Sequence, residues 1–367
     1  MDLDFSAAEQ GFRAEVRDWL ARHVPDGLPS MDTPEGFEAH RVWEALLASA
    51  RLSAVSWPRE YGGRNASLIE WLIFEEEYWA AGAPGRVTQN GVFLLAPTLM
   101  AYGTEEQRRR WLPGMAKADE VWAQAWSEPE AGSDLAALKS RATRVDGGWR
   151  LYGQKTWSSR AAYASHGFGL FRTSDEGRHR GLTYFMFPLD EVTVRPIAQL
   201  DGLPGFAELF FDGVFVSDSM VLGAPGEGWR IAMATTSSER GLALRSPGRF
   251  LATADRLVHL ARDASPELAD RAARCWTDAE AYRLHTFATA HRLMSGAEIG
   301  SAASMGKVFW SELDLRMHTL AMELLGERAG ETPWLDGFLF ALAGPIYAGT
   351  NEIQRNIIAE RVLGLPR

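Results

Sequence analysis

The chain has 367 residues, 46% of them hydrophobic and 23% charged, a length and balance that support a buried core and exclude a disordered protein. Its net charge of -10 excludes a general nucleic-acid binder, which needs a basic surface to release counterions. A single cysteine, Cys275, rules out a disulfide framework within the chain; no apolar run approaches the roughly 20 residues of a membrane span, and the acidic start lacks a signal peptide's pattern, so the reading is a cytoplasmic protein.

The first stretch, residues 1–118, reads as helices. Ser6 with Glu9 forms a capping-box pattern, and Phe12, Val16, Leu20 and Val24 then repeat every four residues as one apolar stripe. Thr33-Pro34 fits an N-cap followed by proline at the first helical position. Ser67 with Glu70 and Thr104 with Gln107 repeat the capping pattern, while Trp57 to Gly63, carrying Pro58 and a glycine pair, predicts a loop. Short β-rich runs follow over 119–222: Arg141 to Val145, Trp149 to Tyr152, Gly167 to Phe171, Leu182 to Phe187, Val192 to Ile197 and Leu209 to Val216. Asp146-Gly147-Gly148 reads as the hairpin turn between the first two. These runs predict a small antiparallel barrel or sandwich. Helical patterning returns over 223–367, with breaks at Ser265-Pro266, Gly296, Gly326 to Gly330 and Gly344-Pro345. The class is α+β, in the order helical, β, helical.

The sequence lacks the familiar catalytic patterns. There is no His-Glu-x-x-His, no ligand-like pairing among the eight histidines, no Gly-x-Ser-x-Gly elbow and no P-loop, so no metal site is expected. Gly223 to Gly228 lacks the spacing of a dinucleotide fingerprint and reads as the entry to the C-terminal helices. Cys275, set in a helical context, reads as a packed thiol.

The segment Ala125-Trp-Ser-Glu-Pro-Glu-Ala-Gly-Ser-Asp134 resembles a signature of the acyl-CoA dehydrogenase family: Ser or Thr, Glu-Pro, two residues, Gly-Ser-Asp. Three more matches follow in the family's order. Gly153-Gln-Lys-Thr-Trp157 resembles the strand that reaches the flavin, Gly226-Glu-Gly-Trp-Arg230 the entry to the last domain, and Tyr347-Ala-Gly-Thr-Asn-Glu-Ile-Gln-Arg355 the stretch passing the active site. The resemblance implies an N-terminal helical domain, a central β-barrel or sandwich domain and a C-terminal four-helix bundle. It implies FAD lying extended between the β domain and the C-terminal helices. Ser127 and Ser159 would hydrogen-bond the ring, Trp157 would pack beside it, and Gly132 and Ser133 would offer donors at the phosphate or thioester end. Taken alone, Trp157 reads as a core aromatic and Gly132-Ser133-Asp134 as an ordinary turn. Thr350 and Glu352 resemble cofactor contacts from the final helices. Arg271 resembles an arginine that reaches the FAD pyrophosphate of a neighbouring subunit, with a solvated helix-face arginine as the plain alternative.

The family's chemistry takes a proton from the carbon beside the thioester carbonyl while a hydride leaves the next carbon. Burial raises a glutamate's pKa towards the value such a base needs. Many members carry that glutamate directly before the Gly-Thr of the last motif, where this chain has Ala348. Branches resembling isovaleryl-CoA dehydrogenase carry it instead in a Glu-Arg pair on the first C-terminal helix. Ser237-Ser-Glu-Arg-Gly241 occupies that place here, which makes Glu239 the expected base and Arg240 its organiser. A surface charge pair is the alternative.

Some residues depart from the family pattern. Trp126, a further cofactor-facing residue, stands where relatives carry a smaller one, and Ala207 replaces a polar residue. Arg160 stands where many have Gly or Asn, a cation that would favour anionic reduced flavin or close a channel. The resemblance implies trans-2-enoyl-CoA as product, an electron-transfer flavoprotein as acceptor, and a homotetramer or a heterotetramer with a related subunit. A flavin oxygenase or oxidase on the same fold and a catalytically impaired partner subunit are the competing readings.

Overall fold

The computed structural model describes residues 4–240, 246–297 and 300–366, apart from the side chains of 237–240 and 331. Five helices come first: α1 (Ala7–His23), α2 (Pro34–Ser49), α3 (Leu68–Ala80), α4 (Ala96–Tyr102) and α5 (Glu105–Ala116). Strands follow: β1 (Trp122–Ala125), β2 (Arg141–Val145), β3 (Gly148–Ser159), β4 (His166–Arg172), β5 (Leu182–Pro188), β6 (Thr193–Ile197), β7 (Phe206–Ser217) and β8 (Val221–Leu222). Then come α6 (Gly228–Arg240), α7 (Pro247–Leu260), α8 (Pro266–Met294), α9 (Ala303–Leu325), α10 (Pro333–Ala341) and α11 (Asn351–Ile357). The helical, β, helical order therefore holds along the chain. The capping boxes form as the sequence predicts: Ser6, Ser67 and Thr104 each accept an orphan helix amide, and Glu9, Glu70 and Gln107 return the bond. Thr33 caps α2, with Pro34 in its first turn.

The chain packs as two compact units, one of residues 1–24, 66–83 and 239–367, the other of 25–65 and 84–238. In the first, α7, α8 and α9 bury Phe250, Leu257, Cys275, Tyr282, Trp310, Leu313 and Met317 in one core. Cys275 is a packed thiol there, and burial pushes its pKa up. Helix α3 carries two buried carboxylates, Glu76 and Glu77, whose charges are met from its neighbours. Arg13 lies 2.7 Å from Glu76 and 3.1 Å from Glu77, Arg17 lies 2.8 Å from Glu77, and Arg283 of α8 closes on Glu76. Uncompensated, such charges would be expensive to bury.

The second unit is built on an eight-stranded sheet of order β6-β7-β3-β2-β4-β5-β8, with β1 attached to β4. The β2–β3 hairpin turns at Asp146-Gly147, where Gly147 takes φ +71°. β1 pairs with β4 in parallel, so the sheet is mixed rather than wholly antiparallel. Four residues rich in alanine carry too little β signal to be read from sequence. The pairing is close: a Cβ on Gly169 would lie 2.4 Å from the Ala125 carbonyl oxygen. β1 ends at Ala125, the residue on which the signature segment opens. Under the sheet, Phe171 meets Phe185, Phe187 and Phe211 edge-on at 5.1–6.0 Å. Among the described residues no helix is long and apolar enough to cross a membrane.

Candidate functional site

Beyond Ala125 the chain enters the signature turn. Glu128 and Ala131 exchange backbone hydrogen bonds of 3.0 Å, and the Glu128 carboxylate folds inward rather than out to water. Its oxygens accept from the backbone N–H of Lys139 at 2.6 Å and of Ser140 at 3.0 Å, and from Lys155 Nζ at 2.8 Å. Burial alone would raise the Glu128 pKa; the Lys155 charge and these N–H donors outweigh it and hold the carboxyl below its ordinary range. Lys155 is fully buried, donates also to Leu170 O at 2.8 Å and sits 4.9 Å from the Phe171 ring centroid. Burial lowers its pKa against the pull of Glu128. Sequence reading passed over this pair, which is the internal support of the turn.

One strand away, Thr156 N donates to Ser127 O at 2.9 Å and ties the turn to the end of β3. There the β3–β7 register slips. Lys155 faces Leu209 but Ser158 faces Ala207, so β3 gains one residue on its partner. The extra residue is accommodated by Trp157 at φ +59°. A bulge of this kind turns a side chain away from its alternating face. Trp157 accordingly stands 60% exposed, its ring edge-on to Phe206 at 5.9 Å, between the buried Thr156 and Ser158. It is not a core aromatic. A left-handed backbone costs a non-glycine residue about 1–2 kcal/mol, which makes this an expensive way to present an indole to the outside.

Around Trp157 lie polar groups without internal partners. The half-buried hydroxyls of Ser127 and Ser159 make no hydrogen bond among the described residues. Trp126 Nε1 and Ser158 Oγ are buried and have no hydrogen-bond partner among the described residues. Gly132 and Ser133 are exposed, and a Cβ added to Gly132 would meet nothing within 4 Å. Asp134 is ion-paired with Arg178. A flat apolar face flanked by unpaired donors is the complement of an isoalloxazine ring with its polar edge. The residues present fit FAD, the cofactor that the sequence resemblance implies. The Arg160 side chain is held in an ion pair with Asp32, Nε to Oδ1 2.8 Å. Its charge is therefore balanced within the chain.

The C-terminal candidates lie in the other unit. Thr350 caps α11, its hydroxyl accepting from Ile353 N at 3.3 Å. Glu352 is exposed in the first turn, and its own backbone N–H, then Thr350, hold its carboxyl low. Ala348 takes φ +56° and Gly349 φ +79°, a turn braced by Gln354 Nε2, which donates to the Ala348 and Gly349 carbonyls at 3.0 and 3.2 Å. Fully buried Lys307 supports it from α9, donating to Gly344 O at 3.0 Å and Asn351 Oδ1 at 2.7 Å. Arg271 is a half-buried arginine on α8 whose guanidinium pairs with Glu323 of the same chain at 2.7 Å. Glu239 and Arg240 form the end of α6, and their side chains lie outside the described residues.

Comparison with known proteins follows the same order along the chain. Residues 6–119 match the family model for the acyl-CoA dehydrogenase N-terminal domain, 123–214 the middle domain and 226–363 the C-terminal domain. Acyl-CoA dehydrogenase IpdE1 of Mycobacterium tuberculosis is 41% identical over 97% of this chain and 97% of that protein. IpdE1 of Mycolicibacterium smegmatis is 39% identical over 98% of each. Among solved structures, the Tcur3481-Tcur3483 steroid ACAD superposes with a TM-score of 0.86 at 28% identity over 100% of both chains. The ChsE4-ChsE5 complex from Mycobacterium tuberculosis superposes with a TM-score of 0.84 at 30% identity, again over 100% of both.

Proposed function

The chain belongs to the acyl-CoA dehydrogenase family, and we propose that it oxidises an acyl-CoA thioester to the trans-2-enoyl-CoA, passing the electrons to an electron-transfer flavoprotein. The observation that carries this reading is the strand bulge at Trp157, which spends backbone strain to hold an exposed indole beside two unpaired hydroxyls. When bound, FAD supplies the acceptor for the hydride. Trp157 covers the ring and excludes water from it. Ser127 and Ser159 donate to its polar edge, with Trp126 Nε1 as a further donor. Gly132 and Ser133 serve the phosphate or thioester end. Glu239 takes the proton from the carbon next to the thioester carbonyl, since the methyl of Ala348 has no acceptor, and Arg240 orders the charges around it. Thr350 and Glu352 contact the cofactor from α11.

We infer further that the acyl group is bulky and polycyclic and that the working assembly joins this chain to a related one. The first is supported by likeness to a steroid ACAD, the second by likeness to a two-chain complex. In such an assembly Arg271, which is paired with Glu323 of its own chain, would have to exchange partners before it could serve a neighbouring subunit. Anaerobic titration decides the main reading. The chain, alone and co-expressed with a related subunit, is mixed with acyl-CoA thioesters that include one with a steroid ring system. Bleaching of the flavin band with formation of the enoyl-CoA is expected. Rapid oxygen uptake without bleaching would replace this reading by the oxidase one, and absence of flavin from every preparation would leave only the role of a partner subunit.

A further inference from the structure

Arg160 closes the segment that begins at Trp157, and it too has a left-handed backbone, φ +52°. Two non-glycine residues at positive φ within four positions need outside support. The backbone of Arg160 is held by its N–H donating to Gly205 O at 2.9 Å and by its carbonyl accepting from Tyr163 N and Ala164 N at 3.0 and 3.1 Å. Its side chain is only 13% exposed, and Asp32, 14% exposed, lies against it with Nε 2.8 Å from Oδ1. Asp32 comes from the loop before α2 and is itself fixed. Gln199 Nε2 donates to its other carboxylate oxygen at 3.1 Å, and the Tyr163 hydroxyl donates to its backbone carbonyl at 3.0 Å. The space is reserved by a glycine: a Cβ on Gly205 would lie 1.9 Å from Gln199 Nε2 and 2.7 Å from Asp32 Oδ2. Two stretches of chain, 160–163 and 199–205, thus converge on the Asp32 loop to seat one guanidinium.

We propose that Asp32 is a positioning residue for the flavin-facing end of β3, acting through Arg160 to hold the left-handed turn from Trp157 and to neutralise the cation there. The inference rests on the proposal that FAD lies against Trp157. The carboxylate does two separable jobs. As a tether it keeps the turn from relaxing towards ordinary strand geometry. As a counter-charge it prevents an unpaired guanidinium from stabilising reduced, anionic flavin. A unit charge uncovered within about 10 Å, at an effective dielectric near 20, shifts such an equilibrium on the order of tenfold or more.

The test compares the full-length wild type, Asp32→Asn, Asp32→Glu, Arg160→Asn and the Asp32→Asn/Arg160→Asn double variant. Two readouts are taken: the potential of the bound flavin, and amide hydrogen exchange over residues 157–164 in flavin-free protein. Asp32→Asn should make the potential more positive, by the equivalent of roughly tenfold, about 30 mV for a two-electron couple. It should also speed exchange over 157–164. Asp32→Glu should restore both in large part. In the double variant the potential shift should vanish, because asparagine tolerates left-handed φ and carries no charge. Unchanged potential and unchanged exchange in Asp32→Asn would overturn the proposal, as would a shift that persists in the double variant. Should the wild type bind no flavin at all, the proposed function fails, and the exchange measurement alone still decides whether Asp32 holds the turn.

Discussion

Lys155 Nζ lies 2.8 Å from Glu128 Oε1 inside the sheet unit, and the two charges join the strand that carries Trp157 to the turn that carries Ser127. Breaking a buried pair by removing one partner leaves the other uncompensated, at a cost of about 3–5 kcal/mol. Glu128→Gln is therefore expected to lower the unfolding free energy by that order, read by denaturant melts. The pH dependence carries a distinct sign. The folded-state pKa of Glu128 is depressed, so its contribution is complete above the unfolded value near 4.5 and is lost as pH falls through the folded value. The acid limb of the wild-type stability curve, below about pH 4.5, should flatten in Glu128→Gln.

Trp157 affords a test of whether the bulge serves a ligand or the fold. Its side chain is largely exposed, so removing it sacrifices little packing. Glycine at φ +59° relieves strain of about 1–2 kcal/mol while increasing the freedom of the unfolded chain. These effects nearly cancel. Trp157→Gly should leave the melting temperature of flavin-free protein within a few degrees of wild type and weaken flavin retention at least tenfold, followed by gel filtration and flavin absorbance.

Much of this arrangement was legible in the sequence, and the limits have physical causes. Capping boxes are local, and those at Ser6, Ser67 and Thr104 are legible because the hydroxyl and the Glu or Gln that answers it lie three residues apart. Six of the eight strands are legible as β-branched and aromatic runs; β1 and the two-residue β8 are too short to carry the signal. Lys155 left a signal that was passed over: it shares the parity of buried Trp149 and Leu151 along β3, which places its ammonium on the inner face. Asp32 left none, because its role depends on Arg160, 128 positions away, which only the folded chain brings near. Arg271 was a matter of resemblance, and its pairing with Glu323 needed coordinates.

Lys307 should matter more for order than for chemistry. Its ammonium donates to Gly344 O and Asn351 Oδ1, bracketing the left-handed turn at Ala348 and Gly349. Lys307→Met fills similar volume but leaves those acceptors short of a donor, and each lost bond to a charged group is worth roughly 1.5–3 kcal/mol. A stability loss of a few kcal/mol is expected, with faster amide exchange confined to residues 344–354. Exchange that quickens evenly over α7, α8 and α9 instead would show that Lys307 supports the helical core rather than the turn.

Glu239 carries the chemical proposal, and a conservative change isolates it. Glutamine keeps the size and polarity of the side chain but cannot take a proton at neutral pH. Glu239→Gln should therefore retain fold and bound flavin, judged by thermal melts and the flavin spectrum, and still bind the thioester. The rate of flavin bleaching by acyl-CoA should fall by about 10²–10⁴, the range a positioned general base supplies. With Ala348 offering only a methyl, no carboxylate remains at the family's other position to replace it. A bleaching rate within a few-fold of wild type would place the base elsewhere, and the dependence of the residual rate on pH would then report the pKa of the group that does the work.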